Sequence, residues 1–413
     1  KHPPMDLNSV DIRRALPFQA DETYLAERIS ESLGLLYAMH WPFRQYESAR
    51  GQRISPLHDR IDTAGAVFGE TAGWERPNWF ARPGQAREYE YSYGKQNWHD
   101  TMVRECLGVR EAVGLFDQTS FAKFVVEGPD ALSVLNRISV AEIDAPIGKA
   151  IYTQWCNHKG GIEADLTVNR LAEDRFFVVT SATSEVRDWA WLRRASVGLR
   201  VELANVTHEQ AMIGLMGPNA REVLAQLTDS DLSNDGFEFG TGQHLTVAGA
   251  EVLALRMSYV GELGWELYIP NAAAVPVYDA LVEAGSSHGL VHAGYHAMNS
   301  LRLEAGMRHW GHDITDEDTP IEAGLGFAIA WDKNTDFSGR AALEAQRDAP
   351  KTKRLIQFRI EDPDVLTYHD EPIYRDGAAV GRTSSSMWSA TQDRCCAMGY
   401  VQHHEAITKA WLG

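Results

Sequence analysis

The chain has 413 residues, of which 44% are hydrophobic and 23% charged, so it can bury a sizeable core as a globular protein. At about 150 residues per domain, this length predicts two or three domains. A formal net charge of −18 argues against a nucleic-acid or anionic-membrane partner, because both require clustered Lys and Arg. No apolar stretch is long enough to span a bilayer, and the polar start lacks the apolar core of a signal peptide.

The cysteines and histidines predict no metal site. Cys106, Cys156 and the adjacent Cys395 and Cys396 form neither a disulfide framework nor a C-x-x-C pair, and the adjacent two are expected to be strand residues facing opposite ways. This cysteine usage predicts a reducing compartment, either the bacterial cytoplasm or the mitochondrial matrix. The neighbouring His403 and His404 are interpreted as a solvated pair.

Residues 1–88 differ in pattern from the rest of the chain. The stretch "HPPMDL" and a helix-like run, "DETYLAERISESLGLLYAMH", precede "GWERPNWFARPG", whose two prolines and final glycine predict a structured connector at a domain boundary. Such a segment could hardly form a core of its own. We interpret it as the tail of a domain that lies upstream and packs on the residues after position 88.

Strand and helix signals alternate from about residue 89 to residue 345. We expect Ser184 to cap a helix at its N-terminus and Gly285 to cap another at its C-terminus. The predicted strands are "AKFVVEG" and "RFFVVTS", and the predicted helices are "PDALSVLNRI", "SEVRDWAWLRRAS" and "AAVPVYDALVEAG".

An internal repeat is visible in this region. "EGPDALSVLNRI", from Glu127, and "MGPNAREVLAQL", from Met216, share the pattern G-P-x-A-x-x-V-L, and their glycines lie 89 residues apart. The repeat favours two related α+β halves. Chance similarity is the alternative, since Gly-Pro before a helix is common.

Past about residue 352 the pattern changes to short strands: "RLIQFRI", "EPIYRDGAAVGRTSS" and "CCAMGYV". Asp376-Gly377 between apolar runs predicts a hairpin. This is a small β domain, and we expect it to be incomplete after "AITKAWLG", because a barrel or sandwich that ended there would have an open edge.

No G-x-G-x-x-G, Walker, H-E-x-x-H or G-x-S-x-G motif is present, so the chain has no visible dinucleotide site of its own. In "HKGGIEADLTV", Asp165 begins an alternating run in which Leu166 and Val168 face one way and Asp165 and Thr167 the other. The alternatives are a half-exposed strand and a carboxylate directed into a pocket.

Two further stretches carry candidate chemistry. In "SYVGELGWELYIP", Glu266 and Tyr268 share a strand face opposite Trp265, Leu267 and Ile269, so Glu266 is either solvated or accepts hydrogen bonds from an N–H pair of a planar ligand.

The stretch "GYHAMNSLRLEAGMRHWGHDITDEDTPIEAGLGFAIAWDK" predicts a helix from Tyr295 to Met307, ended by Gly306 or the Gly311 turn. It also predicts a new helix start, with Thr319 as cap and Glu322 at the third position. A connector with a solvated acidic loop is the alternative.

These segments, in this order, resemble the folate-binding aminomethyltransferase family, whose best-known member is the T-protein of glycine cleavage. Trp310 stands where T-proteins usually have tyrosine, and the segment from Ser55 to Phe80 resembles the one that joins a flavin domain to this folate domain in dimethylglycine and sarcosine dehydrogenases. The family-like segments, covering about residues 89–400, are "GLFDQTSFAKFVVEG", "YTQWCNHKGGIEADLTV", "GLMGPNA", "YVGELGWELYIP", "SLRLEAGMRHWGHDITDEDTPIEAGLGFAI" and "DFSGRAAL".

The resemblance implies an α+β fold with three parts. Residues 1–88 would be the tail of an upstream FAD oxidoreductase domain. Residues 89–350 would form a folate-binding aminomethyltransferase-type domain of two related halves around a central channel. Residues 351–413 would form a C-terminal β-barrel that is truncated.

It also implies a chemistry. FAD in the upstream domain would oxidise an N-methyl group to an iminium, and tetrahydrofolate would capture the iminium as 5,10-methylene-tetrahydrofolate. Because an iminium in water hydrolyses to formaldehyde, the site must hold folate close and exclude water. The attacking nitrogen gains positive charge and loses a proton, which a nearby carboxylate can stabilise and accept.

Five residues match functional positions of the family. Asp165 matches the catalytic aspartate, although T-proteins commonly have two consecutive aspartates where this chain has Ala164 and Asp165. On this interpretation Glu163 is an ordinary turn acid. The expected folate-binding residues are Tyr152, Tyr259, Glu266, which would hold the pterin ring, and Trp310.

One departure concerns the partners. Where T-proteins have an arginine, this chain has Met298, followed by Asn299. The loss of that arginine implies no lipoyl-protein partner and leaves the contact to the folate glutamate tail unassigned. The implied partners are a methylated amine, folate, and an FAD domain upstream or in another chain; the oligomeric state is left open.

Two other functions compete with this one. The chain is either a stand-alone folate-dependent demethylase or methyltransferase of a methylated sulfur or oxygen compound, or a folate-domain relative kept as a scaffold or regulatory module. The N-terminal joining segment argues against the first, and the retention of Asp165, Glu266 and both tyrosines argues against the second.

Overall fold

The computed structural model describes Leu7, Val10 and residues 12–412. The stretch "HPPMDL", Leu7 apart, lies outside the described residues. The chain divides into two compact units that are interleaved in sequence. Unit 1 comprises Lys123–Asn205 and the chain from Leu303 onward, and unit 2 comprises Ile12–Ala122 and Val206–Arg302.

Helices and strands mix along the whole described chain, as expected for an α+β protein. The α-helices are α1 (Glu22–Leu35), α2 (His58–Thr63), α3 (His99–Glu111), α4 (Ala131–Ile138), α5 (Glu185–Ala195), α6 (Ala220–Leu224), α7 (Asn271–Gly285), α8 (Tyr295–Glu304), α9 (Arg340–Asp348) and α10 (Lys409–Leu412). The strands are β1 (Ala66–Thr71), β2 (Trp74–Phe80), β3 (Val113–Asp117), β4 (Ala122–Glu127), β5 (Ala150–Cys156), β6 (Ile162–Arg170), β7 (Arg175–Thr180), β8 (Glu202–Asn205), β9 (Gln210–Met216), β10 (Gly242–Val247), β11 (Ala250–Leu255), β12 (Gly264–Pro270), β13 (Leu290–His292), β14 (Lys353–Arg359), β15 (Pro372–Arg375), β16 (Ala378–Ser389) and β17 (Arg394–Gln402).

Unit 2 is built on a six-stranded sheet in the order β10-β11-β12-β9-β3-β13. Its pairs are antiparallel except β13 with β3. Trp265, Leu267 and Ile269 of β12 are fully buried in one core, together with apolar residues of β9 and α7. The alternation predicted for this strand is therefore observed, and Glu266 and Tyr268 occupy the other face.

The segment that the sequence predicted to be a connector is a buried strand. β2 pairs antiparallel with β1, and the register shifts between Val67 and Phe68, where Pro77 faces the partner strand. Leu57, Ile61 and Phe80 join the core of unit 2. The connector prediction was wrong here because burial of Trp74, Trp79 and Phe80 outweighs a proline that sits beside a bulge. The boundary predicted after residue 88 stays a prediction.

Unit 1 contains a five-stranded sheet, β5-β6-β7-β4-β8, and a four-stranded sheet, β14-β17-β16-β15. The four-stranded sheet is antiparallel throughout, and Asp376 and Gly377 form the predicted hairpin, both with positive φ. The adjacent Cys395 and Cys396 lie on β17 and are both buried, so this strand is covered on both faces.

The two Gly-Pro repeats take the same local form. β4 leads through Gly128 to α4, and β9 leads through Gly217 to α6. The two glycines have φ of 130° and 142°, and a Cβ on either would lie 2.5 Å from a backbone carbonyl oxygen. The repeat is therefore a strand, a glycine pressed against backbone, and a helix, in each unit once.

Some predicted helix ends differ from the structure. α7 includes Gly285, whose φ is negative, and the left-handed residue after it is Gly289, beyond a 3-10 turn. Ser184 precedes α5 but makes no capping hydrogen bond. α8 ends at Glu304, before Gly306 with its φ of 71°, so Met307 lies outside the helix.

The predicted helix start at Thr319 is only a turn. Thr319 and Glu322 do exchange the reciprocal capping bonds, of 3.1 and 3.2 Å. Gly324 then adopts a φ of 71°, which a helix does not allow. The capping signal was correct, but no helix comes after it.

We predict that Gly217→Ala destabilises the chain by about 2 kcal/mol or more, because both the left-handed φ and the backbone contact oppose a Cβ. Gly249→Ala is the matched control in the same unit: its φ is 81° but nothing lies within 4 Å of the added atom. Urea unfolding should show a loss of only about 1 kcal/mol for the control. Equal losses for both variants would contradict the proposed backbone contact.

Candidate functional site

Strand pairing places Asp165 opposite a specific partner. β5 and β6 are antiparallel, with Gln154 directly across from Asp165 and Tyr152 across from Thr167. The Gln154 amide donates from Nε2 to Oδ1 of Asp165 at 2.8 Å, and Tyr152 also hydrogen-bonds the carboxylate. The acid is therefore held on the polar face of a strand pair whose other face carries buried Leu166 and Val168.

The loop before β6 explains why Gly161 of this stretch is a glycine. Asn157 accepts hydrogen bonds from the backbone N–H groups of Lys159 and Gly161 through its side chain. A Cβ on Gly161 would lie only 1.9 Å from the carbonyl oxygen of Asp316. Gly161 thus lets the loop that contains Asp316 lie against the start of β6.

The Asp165 carboxyl titrates close to neutral pH. Asp165 is half-buried. Desolvation raises the pKa to about 6, although the hydrogen bonds from Gln154 and Tyr152 and the charge of Arg308 oppose the rise. Such a group can accept a proton from a ligand near pH 7 and release it again.

A second buried acid lies near Asp165. Asp188, on α5, is 1% exposed and accepts a 2.6 Å hydrogen bond from Thr180. Its pKa is raised to about 7, chiefly by desolvation; the hydrogen bond from Thr180 and the charge of Arg187 oppose the rise, and the charges of Glu163 and Asp165 contribute to it. The charges of Glu163 and Asp165 therefore disfavour the ionised form of Asp188.

Glu163 is not an ordinary turn acid, contrary to the expectation from the sequence. It occupies a bulge in β6, forms an ion pair with Arg187, and accepts a hydrogen bond from Asn157. Arg187 also donates to the Glu163 carbonyl oxygen and lies over the ring of Trp310 at 4.8 Å. The Glu163 side chain thus links Asn157, in the loop before β6, to Arg187 on α5.

Trp310 and Tyr152 pack against one apolar cluster of unit 1. Trp310 is 7% exposed, and its Nε1 donates to the Ile162 carbonyl oxygen at 3.2 Å. Tyr152 lies at the edge of this cluster and stacks on Phe327 at 6.3 Å. The structure gives Trp310 a packing role; its predicted contact with folate stays a prediction.

In unit 2, Glu266 lies on the sheet face that turns away from the apolar core. It is 9% exposed, and its Oε2 accepts a 2.8 Å hydrogen bond from the Tyr268 hydroxyl, two residues along the same strand. Among the described residues no donor reaches Oε1. Desolvation raises the pKa of Glu266 to about 7, against the lowering effect of Tyr268.

The residue beside Glu266 has no side chain. Gly214 of β9 pairs directly with Glu266. A Cβ on Gly214 would lie only 2.4 Å from Oε1 of Gln118. That oxygen is buried and, in the described chain, receives no hydrogen bond. Oε1 of Glu266 is therefore an acceptor without a donor, which a ligand with N–H groups would satisfy, whereas the Gln118 oxygen is sealed from solvent.

Other predicted residues of unit 2 have simpler environments. Tyr259 is half-buried in the loop before β12. In that loop Glu262 forms an ion pair with Arg110 at 2.8 Å. Met298 is buried on α8, and Asn299 accepts a 2.8 Å hydrogen bond from Arg302, so neither takes the place of the arginine found in T-proteins.

Within residues 12–412, no cluster of three His, Cys, Asp or Glu side chains could hold a metal ion. His403 and His404 lie with ring centroids 4.1 Å apart at the surface of unit 1. No helix in the described part of the chain is long and apolar enough to cross a membrane.

Comparisons with known proteins agree with this architecture. The family model of the GCVT N-terminal domain matches residues 57–333. The chain belongs to the GCVT family. The models of the glycine cleavage T-protein C-terminal barrel domain and of the FAD dependent oxidoreductase central domain match residues 353–411 and 2–55.

Relatives connect the family with oxidation of methylated amines. The chain is 43% identical to a 4-methylaminobutanoate oxidase (formaldehyde-forming) of Paenarthrobacter nicotinovorans and 36% identical to the mitochondrial sarcosine dehydrogenase of Homo sapiens. Each match covers 97% of this chain and 48% of the relative, so the chain spans about half the length of these relatives.

A solved structure confirms the fold. The glycine cleavage system aminomethyltransferase T from Bartonella henselae superposes with a TM-score of 0.73 at 28% identity, covering 85% of this chain and 90% of that one. The expected aminomethyltransferase-type α+β fold with a C-terminal barrel domain is thus confirmed.

The structure groups the predicted residues by unit. Asp165, Tyr152 and Trp310 belong to unit 1, whereas Glu266 and Tyr259 belong to unit 2. That Asp165 and Glu266 serve one cavity stays a prediction. Sequence reasoning missed Gln154 and Gln118; the alternation of β5 could have found Gln154, since it shares a strand face with Tyr152.

We predict that Asp165→Asn gains stability relative to the native chain as pH rises. The folded-state pKa of about 6 lies above the ordinary 3.8, so the stability contributed by this group is present below pH 4 and lost as pH rises through 6. The gain between pH 4 and pH 8 should be about 1 to 3 kcal/mol in urea unfolding.

Asp130→Asn is the control with the opposite sign. Hydrogen bonds from Arg200 hold the pKa of the Asp130 carboxyl below its usual range. This variant should therefore lose stability relative to the native chain as pH rises. A pH-independent difference for Asp165→Asn would contradict a desolvated Asp165.

Proposed function

We propose that the chain performs tetrahydrofolate-dependent one-carbon transfer as part of an FAD-dependent oxidoreductase of N-methylated amines. It would trap the iminium from oxidative N-demethylation as 5,10-methylene-tetrahydrofolate. The observation that carries the proposal is Asp165, a carboxylate fixed by the opposite strand whose pKa of about 6 suits proton exchange near neutral pH.

Tetrahydrofolate would supply the amine nitrogen that captures the iminium carbon. Asp165 would stabilise the positive charge that develops there and accept the proton that leaves. Gln154 and Tyr152 would keep the carboxylate in one orientation throughout. Because Asp165 is partly desolvated, its interaction with a developing charge is stronger than it would be in water.

The polar face of unit 2 fits a pterin. A pterin ring presents several N–H donors in one plane, and Oε1 of Glu266 is an acceptor that lacks a donor within the described chain. A carboxylate that accepts from two N–H groups would be stabilised in its ionised form, so ligand binding should lower the pKa of Glu266 from its raised value.

The names of the relatives suggest the substrate class. Sarcosine and 4-methylaminobutanoate are both N-methylated amino carboxylates. We propose a substrate of this class, with FAD bound by a domain outside this chain. The relatives include bacterial and mitochondrial proteins, and we propose the bacterial cytoplasm or the mitochondrial matrix as the compartment.

Titration with tetrahydrofolate tests the pterin site. Glu266→Gln removes a charged acceptor and is expected to weaken binding about ten- to a hundredfold by calorimetry. Glu262→Gln, in the same loop-strand motif but paired with Arg110, is the matched control and should bind normally. Equal affinity of the Glu266→Gln and native proteins would refute the pterin assignment.

Product partition in the complete protein tests the role of Asp165. With an N-methylated amino acid and tetrahydrofolate, Asp165→Asn is expected to consume substrate at the native rate but to release formaldehyde instead of methylene-tetrahydrofolate. Trapping should fall about a hundredfold, the usual contribution of a general base. If the native protein releases formaldehyde whether or not tetrahydrofolate is present, the one-carbon transfer itself is refuted.

A further inference from the structure

Arg76 occupies an unusual place on β2. Every other residue of the strand is buried, whereas Arg76 is half-buried. Its guanidinium carbon lies 3.7 Å from the ring centroid of Tyr295, the first residue of α8. The Tyr295 hydroxyl is in turn fixed by Ser120 at 3.2 Å. The guanidinium of Arg76 therefore lies over a ring that is itself held in place.

The guanidinium has no hydrogen-bonding partner in the part of the chain that the structure describes. None of those residues accepts a hydrogen bond from Arg76, and none of their carboxylates forms an ion pair with it. Its Nε is sealed from solvent without an acceptor, whereas the two terminal nitrogens are not sealed. The two terminal nitrogens of the guanidinium are thus the atoms that a molecule from solvent can reach.

The environment does not compensate for the charge. Desolvation lowers the pKa of Arg76, and the interaction that opposes this comes from Tyr295 rather than from an acid. The adjacent acid, Glu75, is already neutralised by Arg50, which donates to it at 2.7 Å through Nε. A chain with 57 acidic and 39 basic residues nevertheless leaves Arg76 without a carboxylate among the described residues.

A desolvated cation without a counter-ion is costly, and proteins pair buried charges almost without exception. The counter-ion therefore has to come from outside the described chain. A guanidinium whose two terminal nitrogens are free matches a carboxylate, which it can bind through two parallel hydrogen bonds.

We propose that Arg76, stacked on Tyr295, is a binding site for the carboxylate of a small-molecule ligand. The identity of that ligand rests on the proposed function, which offers two sources: the glutamate tail of folate and the carboxylate of the N-methylated amino acid. The position of Tyr295 favours folate. Ser120, which hydrogen-bonds Tyr295, comes two residues after Gln118, and Gln118 lies against Gly214, the residue that pairs with Glu266.

The test compares Arg76→Met and Arg76→Lys with Arg53→Met. Arg53 also stacks on an aromatic ring, that of Trp74, but it already donates to the Ala72 carbonyl oxygen. Binding is measured calorimetrically with N-(4-aminobenzoyl)glutamate, 6-methyl-tetrahydropterin and sarcosine. The first carries the folate tail without a pterin, the second a pterin without a tail, and the third the amino-acid carboxylate.

If the site takes the folate tail, Arg76→Met weakens N-(4-aminobenzoyl)glutamate about ten- to a hundredfold and leaves 6-methyl-tetrahydropterin unchanged. If it takes the amino acid, only sarcosine is weakened. Arg76→Lys should restore part of the affinity, since it keeps the positive charge but not the planar guanidinium that donates two parallel hydrogen bonds. Affinities within twofold of native for every probe would overturn the proposal, whatever tetrahydrofolate itself does.

Thermal unfolding without ligand provides a second readout. Arg76→Met removes an unpaired, half-buried charge and should leave the melting temperature unchanged or raise it, whereas Arg53→Met should lower it. An arginine with a purely structural role would behave like Arg53. Loss of pterin binding in all variants, with tail binding still dependent on Arg76, would refute the pterin site and leave the carboxylate site standing.

Discussion

A carboxylate held away from water needs donors at fixed positions, and both units of this chain meet that need through strand geometry. In unit 1 the donor to Asp165 is Gln154, the residue directly across the strand pair. In unit 2 the donor to Glu266 is Tyr268, two residues along the same strand. In neither case do the donors fully replace the lost hydration, so both pKa values stay high. Sheet register therefore controls the acid–base chemistry, because a shift of one residue would bring the core face to the ligand side.

Much of the fold could be predicted from the sequence because its signals are local. The alternation in β12 depends only on which face is buried, and the Gly-Pro repeats depend on a backbone conformation that glycine alone adopts easily. The failures are cases in which tertiary contacts outweighed a local signal. Pro77 lies in a strand because its neighbours are buried, and the capping bonds of Thr319 start no helix because Gly324 reverses the chain.

The candidate site likewise contains some residues that could be predicted from the sequence and others that could not. Asp165 and Glu266 were predictable because they stand in recognisable motifs, and their raised pKa values agree with the roles expected of them. Gln118 and Arg76 could not be found this way. What distinguishes them within the described chain is the lack of a partner: a buried oxygen without a donor and a guanidinium without an acid. A missing partner is a property of three-dimensional packing, and no sequence pattern records it.

Because the two units are interleaved in sequence, some strands that pair in the folded chain are synthesised at widely separated times. β3 pairs with β9 and β13, so it leaves the ribosome long before its neighbours in the sheet. At about 5 to 20 residues per second, roughly ten seconds separate β3 from β9. Throughout that interval β3, whose five residues are buried in the folded chain, has an unpaired edge. The apolar residues of β1 and β2 are also not yet buried, because residues after 206 form most of the core to which they belong. We therefore expect slow refolding from denaturant, because each unit is built from separated stretches of chain.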